Sequence, residues 1–277
     1  MPPPSIYMCP VCGLALGRDD TRYACGRGHS FDIAREGYVN LLLAQHKKTT
    51  EPGDSPAMIR SRRAFLQQGH YDPVADALNR VLLQARNRPC RVLDAGCGEG
   101  FYLWKLASAL SARGLQDAWS LWGCDISKAG IRAAARRAPL SGLAVASSYR
   151  LPVLPASLDI VCCVFAPVAA AEFLRVLGDE GLLLILGPGP SHLDGLRRLV
   201  YEAPRAHPPA PAPDGFALVG RETVSYPLRL QDADSVGHLV SMTPYYWNMD
   251  AATQARVLDT PQLETTVDVS LSLYRKA

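Results

Sequence analysis

Beyond residue 90 the chain alternates short apolar runs with stretches in which apolar residues recur at helical spacing. The apolar runs have the length of strands buried on both faces of a sheet, and they cover residues 91–95, 120–124, 143–146, 158–165 and 181–186. The helical stretches between them cover residues 101–111, 128–137 and 169–177. This order predicts an α/β fold with a mostly parallel, doubly wound sheet and helices on both faces.

Further elements follow this alternation and would complete the sheet. A Pro-rich segment at 204–213 leads into a strand-like run at 216–226 and a helix-like stretch at 233–242. The last run, 265–274, alternates apolar and polar residues. Such alternation is typical of an antiparallel strand, and we expect this one at the edge of the sheet.

The first 90 residues lack this rhythm. Residues 1–35 are rich in Cys and Gly and offer too few apolar residues to fold around a core of their own. Residues 36–88 begin as a polar connector and then contain two predicted helices. Ser55-Pro56 supplies an N-cap and a first-turn proline for one helix, and the second is expected at 72–85.

Four side chains among the first thirty residues have the chemistry and spacing of a zinc site. Cys9 and Cys12 are two residues apart, and Cys25 is followed by His29 after three residues. Three thiolates and one imidazole complete a tetrahedral zinc shell and leave no position for water, which indicates a structural ion. We therefore expect one Zn²⁺ per chain on these four residues, and residues 1–35 to form a zinc-binding module that folds around it.

A glycine-rich loop follows the first strand-like run. Gly96, Gly98 and Gly100 form the pattern GxGxG at the start of a predicted helix, where the backbone can approach a ligand closely. Dinucleotide folds have GxGxxG instead, and here Asp94 precedes the loop. A carboxylate there would repel a pyrophosphate, but it suits a sulfonium or an ammonium group. We therefore expect S-adenosylmethionine at this loop, in a Rossmann-like class I methyltransferase domain covering residues 89–277.

A second acid marks the adenosine end of the same site. Asp125 follows the second strand-like run, where a carboxylate can accept hydrogen bonds from both ribose hydroxyls. Because NAD offers the same hydroxyls, Asp125 does not distinguish the two cofactors, whereas Asp94 together with GxGxG does. The sequence identifies no general base, so the catalytic residues stay unassigned.

Positive charge is concentrated in the N-terminal third, although the net charge of the whole chain is only +3. Residues 1–90 carry twelve Lys and Arg against eight Asp and Glu. A phosphate-contacting face is one interpretation, and an ordinary solvated surface is the alternative. The candidate residues for such a face are Lys47, Lys48, Arg60, Arg62 and Arg63.

The remaining cysteines and the N-terminus indicate the compartment. Eight cysteines less three zinc ligands leave five, an odd number in mostly apolar surroundings, which favours a reducing environment. The start of the chain lacks the charged and apolar regions of a secretory signal, and no run is long enough to span a bilayer. We expect a cytoplasmic protein with no membrane partner.

Several motifs together resemble the bacterial 23S rRNA (guanine-N1)-methyltransferases of the RlmA type. Besides the zinc ligands, the similar segments are FDIAREGYVNLL at 31–42, PGDS at 52–55, RRAFL at 62–66, GHY at 69–71, LDAGCGEG at 93–100, SSYRLP at 147–152, FAP at 165–167 and GPGPSHL at 187–193. They cover nearly the whole chain. Segments 147–152 and 242–244 are more similar to the form typical of Gram-negative bacteria than to the macrolide-resistance form.

This resemblance implies a specific reaction and specific ligands. The chain would transfer a methyl group from S-adenosylmethionine to N1 of a guanine in a hairpin of 23S rRNA. The resemblance implies zinc on the four residues already identified and cofactor contacts from Tyr71, Gly98, Glu99 and His192. It also implies a homodimer in which the zinc modules flank the RNA.

The chemistry of this reaction sets two requirements on the protein. Guanine N1 carries a proton at neutral pH, so the protein must align N1 with the methyl group and assist loss of the proton. The base must also leave its stack to reach the donor. Phe165 and Tyr149 could stack on the displaced base, with packing in the core as the alternative role for each.

Two other functions are compatible with parts of the sequence. An S-adenosylmethionine-dependent methyltransferase of a small molecule would share the fold, but it would need neither a zinc module nor a basic N-terminal third. An inactive RNA-binding protein with zinc and Rossmann-like parts would be expected to have a broken glycine loop or to lack Asp94 or Asp125, and all are present.

Overall fold

The structure is a computed structural model, and it describes residues 5–47, 49–137, 140–201, 206–208, 210–247 and 249–277. The strands are β1 (Gly17–Arg18), β2 (Arg22–Ala24), β3 (Ser30–Asp32), β4 (Val39–Asn40), β5 (Cys90–Ala95), β6 (Trp119–Asp125), β7 (Gly142–Val145), β8 (Leu158–Val164), β9 (Leu177–Pro188), β10 (Phe216–Leu230) and β11 (Leu263–Lys276). The helices are α1 (Pro56–Gln67), α2 (Asp72–Ala85), α3 (Phe101–Ser111), α4 (Lys128–Ala134), α5 (Ala170–Val176), α6 (Asp194–Val200), α7 (Ala233–Ser241), α8 (Pro244–Trp247) and α9 (Ala251–Leu258).

Eight of these strands form one sheet in the order β10-β11-β9-β8-β5-β6-β7-β4. Neighbouring strands from β9 to β4 pair in parallel, while β11 pairs antiparallel with both β9 and β10. The predicted α/β class and the antiparallel pairing at the edge are confirmed. The final strand is not itself outermost, because β10 lies beyond it and forms the edge.

The central strands are apolar on both sides because each face of the sheet is covered. Along β5, Val92 belongs to the core shared with α2 and α3, whereas Leu93 belongs to the core on the opposite face. This follows from the alternation of side chains along a strand. The second core includes Phe173 of α5 and also Tyr7 of the N-terminal module, so that module takes the place of a covering helix.

The N-terminal module is attached to the sheet by backbone and aromatic contacts. The Met8 N–H donates to the Pro152 carbonyl at 2.9 Å, and Leu154 N–H donates to the Ile6 carbonyl at the same distance. The Tyr7 ring packs edge-on against Trp122 of β6, with ring centroids 5.1 Å apart. Strands β1 to β3 form a separate antiparallel sheet within the module.

Helices α1 and α2 begin where the sequence predicts. The Ser55 side chain accepts a hydrogen bond from the Met58 N–H, so it caps α1 as expected, with Pro56 in the first turn. Helix α2 begins at Asp72 and ends at Ala85, which are the predicted bounds. Both helices pack on the face that also carries α3, because α2 contributes Val74, Leu78 and Leu82 to that core.

The segment predicted as a connector also contributes to the sheet. Strand β4 pairs in parallel with β7 and extends the sheet on that side. A strand of two residues is too short to show a hydrophobic pattern, so this element was not predicted. The division at residues 35 and 88 therefore stays a prediction about sequence segments.

Within the described residues, no helix is long and apolar enough to cross a membrane.

Candidate active site and metal centre

The four predicted zinc ligands converge on one point. Their ligand atoms all lie within 4.8 Å of one another. The Cys12 and Cys25 sulfurs are 3.7 Å apart, and His29 Nδ1 lies 3.7 Å from Cys9 Sγ and 3.5 Å from Cys25 Sγ. A tetrahedral zinc with bonds of about 2.3 Å to sulfur and about 2.05 Å to nitrogen gives ligand separations of roughly 3.6–3.8 Å. The residues therefore fit a Zn²⁺ with His29 bound through Nδ1.

Two tight turns present these ligands. The Gly13 N–H donates to the Cys9 carbonyl at 2.9 Å, and the Gly28 N–H donates to the Cys25 carbonyl at 3.0 Å. Gly13 has φ +76° and Gly28 has φ +83°, a conformation that glycine adopts without strain. Each turn therefore ends on a glycine because the chain must reverse around the metal.

The glycine loop at the carboxyl end of β5 is closely packed by its neighbours. Gly96, Gly98 and Gly100 have φ values of +94°, +53° and +80°. A Cβ on Gly96 would lie 2.5 Å from Ala166 Cβ, and one on Gly100 would lie 2.9 Å from Ala134 Cβ. Larger residues would therefore push the loop away from the segment after β8 and from α4.

Asp125 holds this loop from the end of β6. Its carboxylate accepts hydrogen bonds from the Gly98 N–H at 2.9 Å and from the Ser127 N–H at 2.7 Å. Burial raises the pKa of Asp125, although these two hydrogen bonds act in the opposite direction. The predicted ribose acceptor therefore also fixes the loop and the start of α4, a role that the sequence did not indicate.

Asp94 is a buried acid with an unused acceptor. Only 2% of its surface is exposed, and its Oδ1 has no hydrogen-bond partner among the described residues. Burial, and secondly the charge of Asp125, raise the pKa of Asp94 to about 8. A buried carboxyl without a partner costs stability unless a cation or a donor approaches it. The site therefore fits a ligand that carries positive charge, as the sulfonium and ammonium of S-adenosylmethionine do.

The Glu99 side chain is engaged by an arginine. Both of its carboxylate oxygens bind Arg137, at 2.5 and 2.7 Å, and both side chains are almost fully buried. Burial raises the pKa of Glu99, and Arg137 counteracts that shift. The Glu99 side chain therefore anchors the glycine loop to the turn after α4. Because that side chain is occupied, the backbone of Glu99 is what could contact a cofactor.

Tyr71 and His192 are 121 residues apart in sequence and meet in the structure. Tyr71 Oη lies 3.4 Å from His192 Nε2, and His192 Nδ1 accepts from the Asp268 N–H at 3.2 Å. That second bond places the ring hydrogen on Nε2, which donates to Tyr71. Burial, and secondly nearby His207 and Arg197, lower the pKa of His192 to about 4. The ring is therefore neutral at pH 7, and it has no free lone pair with which to take up a proton.

An exposed aromatic ring lies beside this pair. Phe165 stacks on His192 with ring centroids 5.5 Å apart, and its backbone has φ +49°. It is 43% exposed, and Tyr149, in the segment after β7, is 67% exposed. Packing in the core is therefore not the role of either ring. Both follow parallel strands at the carboxyl edge of the sheet, where the glycine loop also lies.

Arg62 lies in the candidate active site, although the sequence suggested that it belongs to a phosphate-contacting surface. Its guanidinium forms a salt bridge with Asp54, and Nη2 donates to the Met242 carbonyl at 3.2 Å. Nη1 lies 3.2 Å from the place that a Cβ on Gly98 would occupy. Arg62 is three residues from both Ile59 and Phe65, which are buried. This spacing places Arg62 on the inward face of α1. The sequence therefore did contain a signal for the inward position of Arg62.

The other residues of the predicted basic face have different surroundings. Lys47 and Arg60 are exposed, Arg63 is half-buried, and Lys48 lies outside the described residues. The predicted face is therefore not one continuous surface, since Arg62 has turned towards the glycine loop.

The zinc module lies close to this edge of the sheet. A cavity of about 320 Å³ separates it from the segment after β7. The cavity is lined by Met8, Cys9, Pro10, Gly13, Leu41, Leu42, His46, Ser147, Arg150, Leu151 and Pro152. Because β7 runs parallel to β5, this segment leaves the sheet on the same side as the glycine loop. The zinc module and the glycine loop therefore lie at the same edge of the sheet.

Comparison with known proteins gives two family matches within the chain. Residues 7–50 match the zinc-ribbon family described as RlmA, N-terminal, and residues 92–181 match a family described as methyltransferase domain. The first covers all four metal ligands, and the second covers the glycine loop and both buried acids.

Three relatives match nearly the whole chain. A protein of Streptomyces fradiae named 23S rRNA (guanine(748)-N(1))-methyltransferase is 34% identical over 96% of this chain and 95% of its own length. A protein of Micromonospora griseorubida is 37% identical over 96% of both chains. YxjB of Bacillus subtilis is 30% identical over 98% of both chains. The last two are both named "putative 23S rRNA (guanine-N(1)-)-methyltransferase".

Proposed function

Because the chain belongs to the family of 23S rRNA (guanine-N1)-methyltransferases, we propose that it methylates N1 of a guanine in a hairpin of 23S rRNA, with S-adenosylmethionine as the donor. The observation that carries the proposal is the shared edge of the sheet. A four-ligand metal module and a glycine loop with an unpartnered buried acid lie on the same side of the molecule. A methyltransferase of a small metabolite has no evident use for the first of these.

The residues around the glycine loop would hold the donor. S-adenosylmethionine supplies an electrophilic methyl group on a sulfonium sulfur. Gly96, Gly98 and Gly100 leave room for it, Asp125 accepts from the ribose, and Asp94 faces its positive charge. Arg62 is itself positive, and we assign it to the carboxylate at the amino-acid end. Tyr71 and His192 close the site as a neutral hydrogen-bonded pair.

The target base would enter beside the segment that follows β8. Phe165 offers an exposed ring there, and Ala166, next to it, is in contact with Gly96 of the loop. A guanine stacked on Phe165 would lie beside the loop that holds the donor. His192 cannot take the N1 proton, because its Nδ1 already accepts from the backbone. The proton acceptor is therefore not this histidine, and the hydrogen from Nε2 serves to orient Tyr71.

The zinc ion has a structural role in this proposal. Three sulfurs and one nitrogen complete its shell, so no position remains for a reacting water. The ion holds the module in the shape that packs against β6 and the segment after β7, beside the place where RNA would approach.

Three finer points also form part of the proposal. We propose that the chain has the form typical of Gram-negative bacteria, which the similarity of segments 147–152 and 242–244 supports. Mapping the methylated position by primer extension tests this. We also propose a cytoplasmic homodimer, for which light scattering should give twice the chain mass of 30.0 kDa.

Transfer of labelled methyl groups tests the proposed reaction. Purified protein is incubated with labelled S-adenosylmethionine and either 23S rRNA that lacks the modification, 16S rRNA, or a metabolite extract of low molecular mass. We expect label only in the 23S rRNA. Label confined to the metabolite fraction would instead establish a methyltransferase of a small molecule.

A further inference from the structure

A cavity on the outer side of the glycine loop is unusually basic. It has a volume of about 260 Å³ and lies between α1, α2, α3 and the turn after α4. It is lined by Arg63, Leu66, Gln67, Asp72, Trp104, Lys105, Arg136 and Arg137. Four of these eight residues are cationic and one is acidic. The volume greatly exceeds the ~10–15 Å³ that a single water needs.

The acids near this cavity do not neutralise it. Asp72 lies 2.8 Å from Lys105, and Glu99 is buried behind Arg137. Arg132 and Arg136 both form a salt bridge with Glu36, and Arg132 is the closer of the two, at 2.7 Å against 3.3 Å. Arg63 forms no salt bridge within the part of the chain that the structure describes. The opening therefore has an excess of positive charge.

Trp104 brings two of the cations together. Lys105 Nζ lies 5.1 Å from the centre of the indole, and Arg137 Cζ lies 5.4 Å from it. Attraction between the ring and the cations offsets the repulsion between them and keeps both charges at the cavity. Lys105 and Arg137 each also pair with an acid, so the excess positive charge comes from Arg63 and from Arg136, which shares its acid with Arg132. A positive excess held at a fixed place is what recognition of an anion requires.

We propose that this cavity binds a phosphodiester group of the substrate RNA, which places a backbone phosphate next to the glycine loop. S-adenosylmethionine has no phosphate, so the donor does not account for the charge, whereas RNA carries one phosphate per nucleotide. Arg137 connects the two sites, because it lines the cavity and also binds Glu99 between Gly98 and Gly100. The inference rests on the proposed function, since it takes the rRNA hairpin as the partner.

Replacing two cavity arginines tests the inference. Arg63→Gln with Arg136→Gln removes two positive charges and leaves Glu99 paired with Arg137 and Glu36 paired with Arg132. The matched control is Arg198→Gln with Arg229→Gln, which removes two exposed arginines from α6 and β10 and the same net charge. Hairpin affinity is measured for wild type and both variants across a series of salt concentrations.

We expect the cavity variant to bind the hairpin roughly tenfold more weakly than the control, with unchanged affinity for S-adenosylhomocysteine. The slope of log affinity against log salt should flatten by about 0.7–0.9 for each phosphate that the variant no longer neutralises. If the two variants give the same affinity and slope while wild type methylates the hairpin, the cavity proposal is wrong and the proposed function stands. If wild type neither binds nor methylates the hairpin, the proposed function is wrong.

A second arm separates an RNA phosphate from a free one. Guanosine monophosphate and inorganic phosphate are titrated into wild type and the cavity variant. We expect neither to bind appreciably at concentrations that saturate the hairpin, because one phosphate makes only part of the contact. Binding of guanosine monophosphate that is abolished in the cavity variant, with hairpin affinity unchanged, would identify a free-nucleotide site and overturn the proposal.

Discussion

At the scale of single residues, the candidate cofactor site contains a buried carboxyl group that lacks a hydrogen-bond partner for one of its oxygens. This carboxyl belongs to Asp94, whose Oδ1 has no partner and whose pKa is raised to about 8. The sequence predicted its place and its preference for a cation. It could not indicate that Oδ1 lacks a partner, which depends on the side chains that surround the end of β5.

Asp94→Asn should change stability and cofactor affinity in opposite directions. Between pH 4 and pH 8 an unfolded chain loses the Asp94 proton while the folded protein keeps it, so this residue lowers the free energy of unfolding as pH rises towards 8. The Tm of cofactor-free Asp94→Asn should therefore exceed that of wild type, by a margin that grows from pH 6 to pH 8. Its affinity for S-adenosylmethionine should fall. A pH-independent difference in Tm would contradict the assigned burial.

Arg62 gives a second prediction at this scale. Arg62→Ala should weaken binding of S-adenosylhomocysteine by about tenfold or more, the value of one charge-assisted hydrogen bond. Methylthioadenosine, which lacks the amino-acid carboxylate, should bind both proteins equally. Calorimetry with both ligands makes the measurement, with Arg63→Ala as the neighbouring control.

The salt bridge of Arg62 with Asp54 allows a further check. Asp54→Asn removes the bridge and leaves Arg62 free to bind a carboxylate. Affinity for S-adenosylhomocysteine should then be retained. If Arg62→Ala lowers the affinity for both ligands alike, Arg62 supports the loop and does not bind the carboxylate.

At the scale of elements, the sequence predicted those parts whose signal is local. Helix α2 has the predicted bounds, and Ser55 caps α1 as expected. The glycine pattern identified the loop and the Cys and His spacing identified the metal site. Strand β4 has only two residues, and the partners of Arg62, Asp54 and the Met242 carbonyl, lie outside α1. Such features arise from tertiary packing and leave little trace in a short window of sequence.

The glycine loop should tolerate no side chain at its first glycine. Gly96→Ala forces an unfavourable φ of +94° and a contact with Ala166, at a cost of about 1–3 kcal/mol for the backbone alone. Cofactor affinity should fall sharply. Adding Ala166→Gly removes the contact but not the backbone strain, so affinity should recover in part. Gly220→Ala, at an open position in β10, is the control for calorimetry. Equal binding by Gly96→Ala and the control would contradict the packing described.

The zinc module should depend on its ion. Cys12→Ser should lose the metal and unfold β1 to β3, which releases Tyr7 from Trp122. Elemental analysis measures the zinc, and the near-ultraviolet circular dichroism reports on the tryptophan. Cys90→Ala, which replaces a buried cysteine outside the cluster, should keep one zinc per chain. A Cys9 and Cys12 double variant that retains stoichiometric zinc would contradict the assignment of the zinc ligands.

At the scale of the whole molecule, two parts that the sequence shows separately lie at one edge of the sheet. The zinc module covers one face of the sheet beside β6 and the segment after β7, and α1 and α2 cover the other face next to the loop. RNA that reaches the glycine loop would therefore pass both the metal module and the basic cavity. The sequence predicted each part from its own motif. Their common edge follows from the order of the strands and from the packing of the zinc module on the segment after β7, which the sequence did not predict.

Identification of the methylated nucleoside tests whether the protein methylates guanine N1 of 23S rRNA. A synthetic hairpin from 23S rRNA is incubated with the zinc-loaded protein and S-adenosylmethionine, digested to nucleosides and analysed by mass spectrometry. We expect 1-methylguanosine at one position in the hairpin, and none when adenosine replaces that guanosine. A protein that retains its zinc and binds S-adenosylhomocysteine, yet yields no methylated nucleoside or yields a guanosine methylated elsewhere than N1, would contradict the proposed reaction.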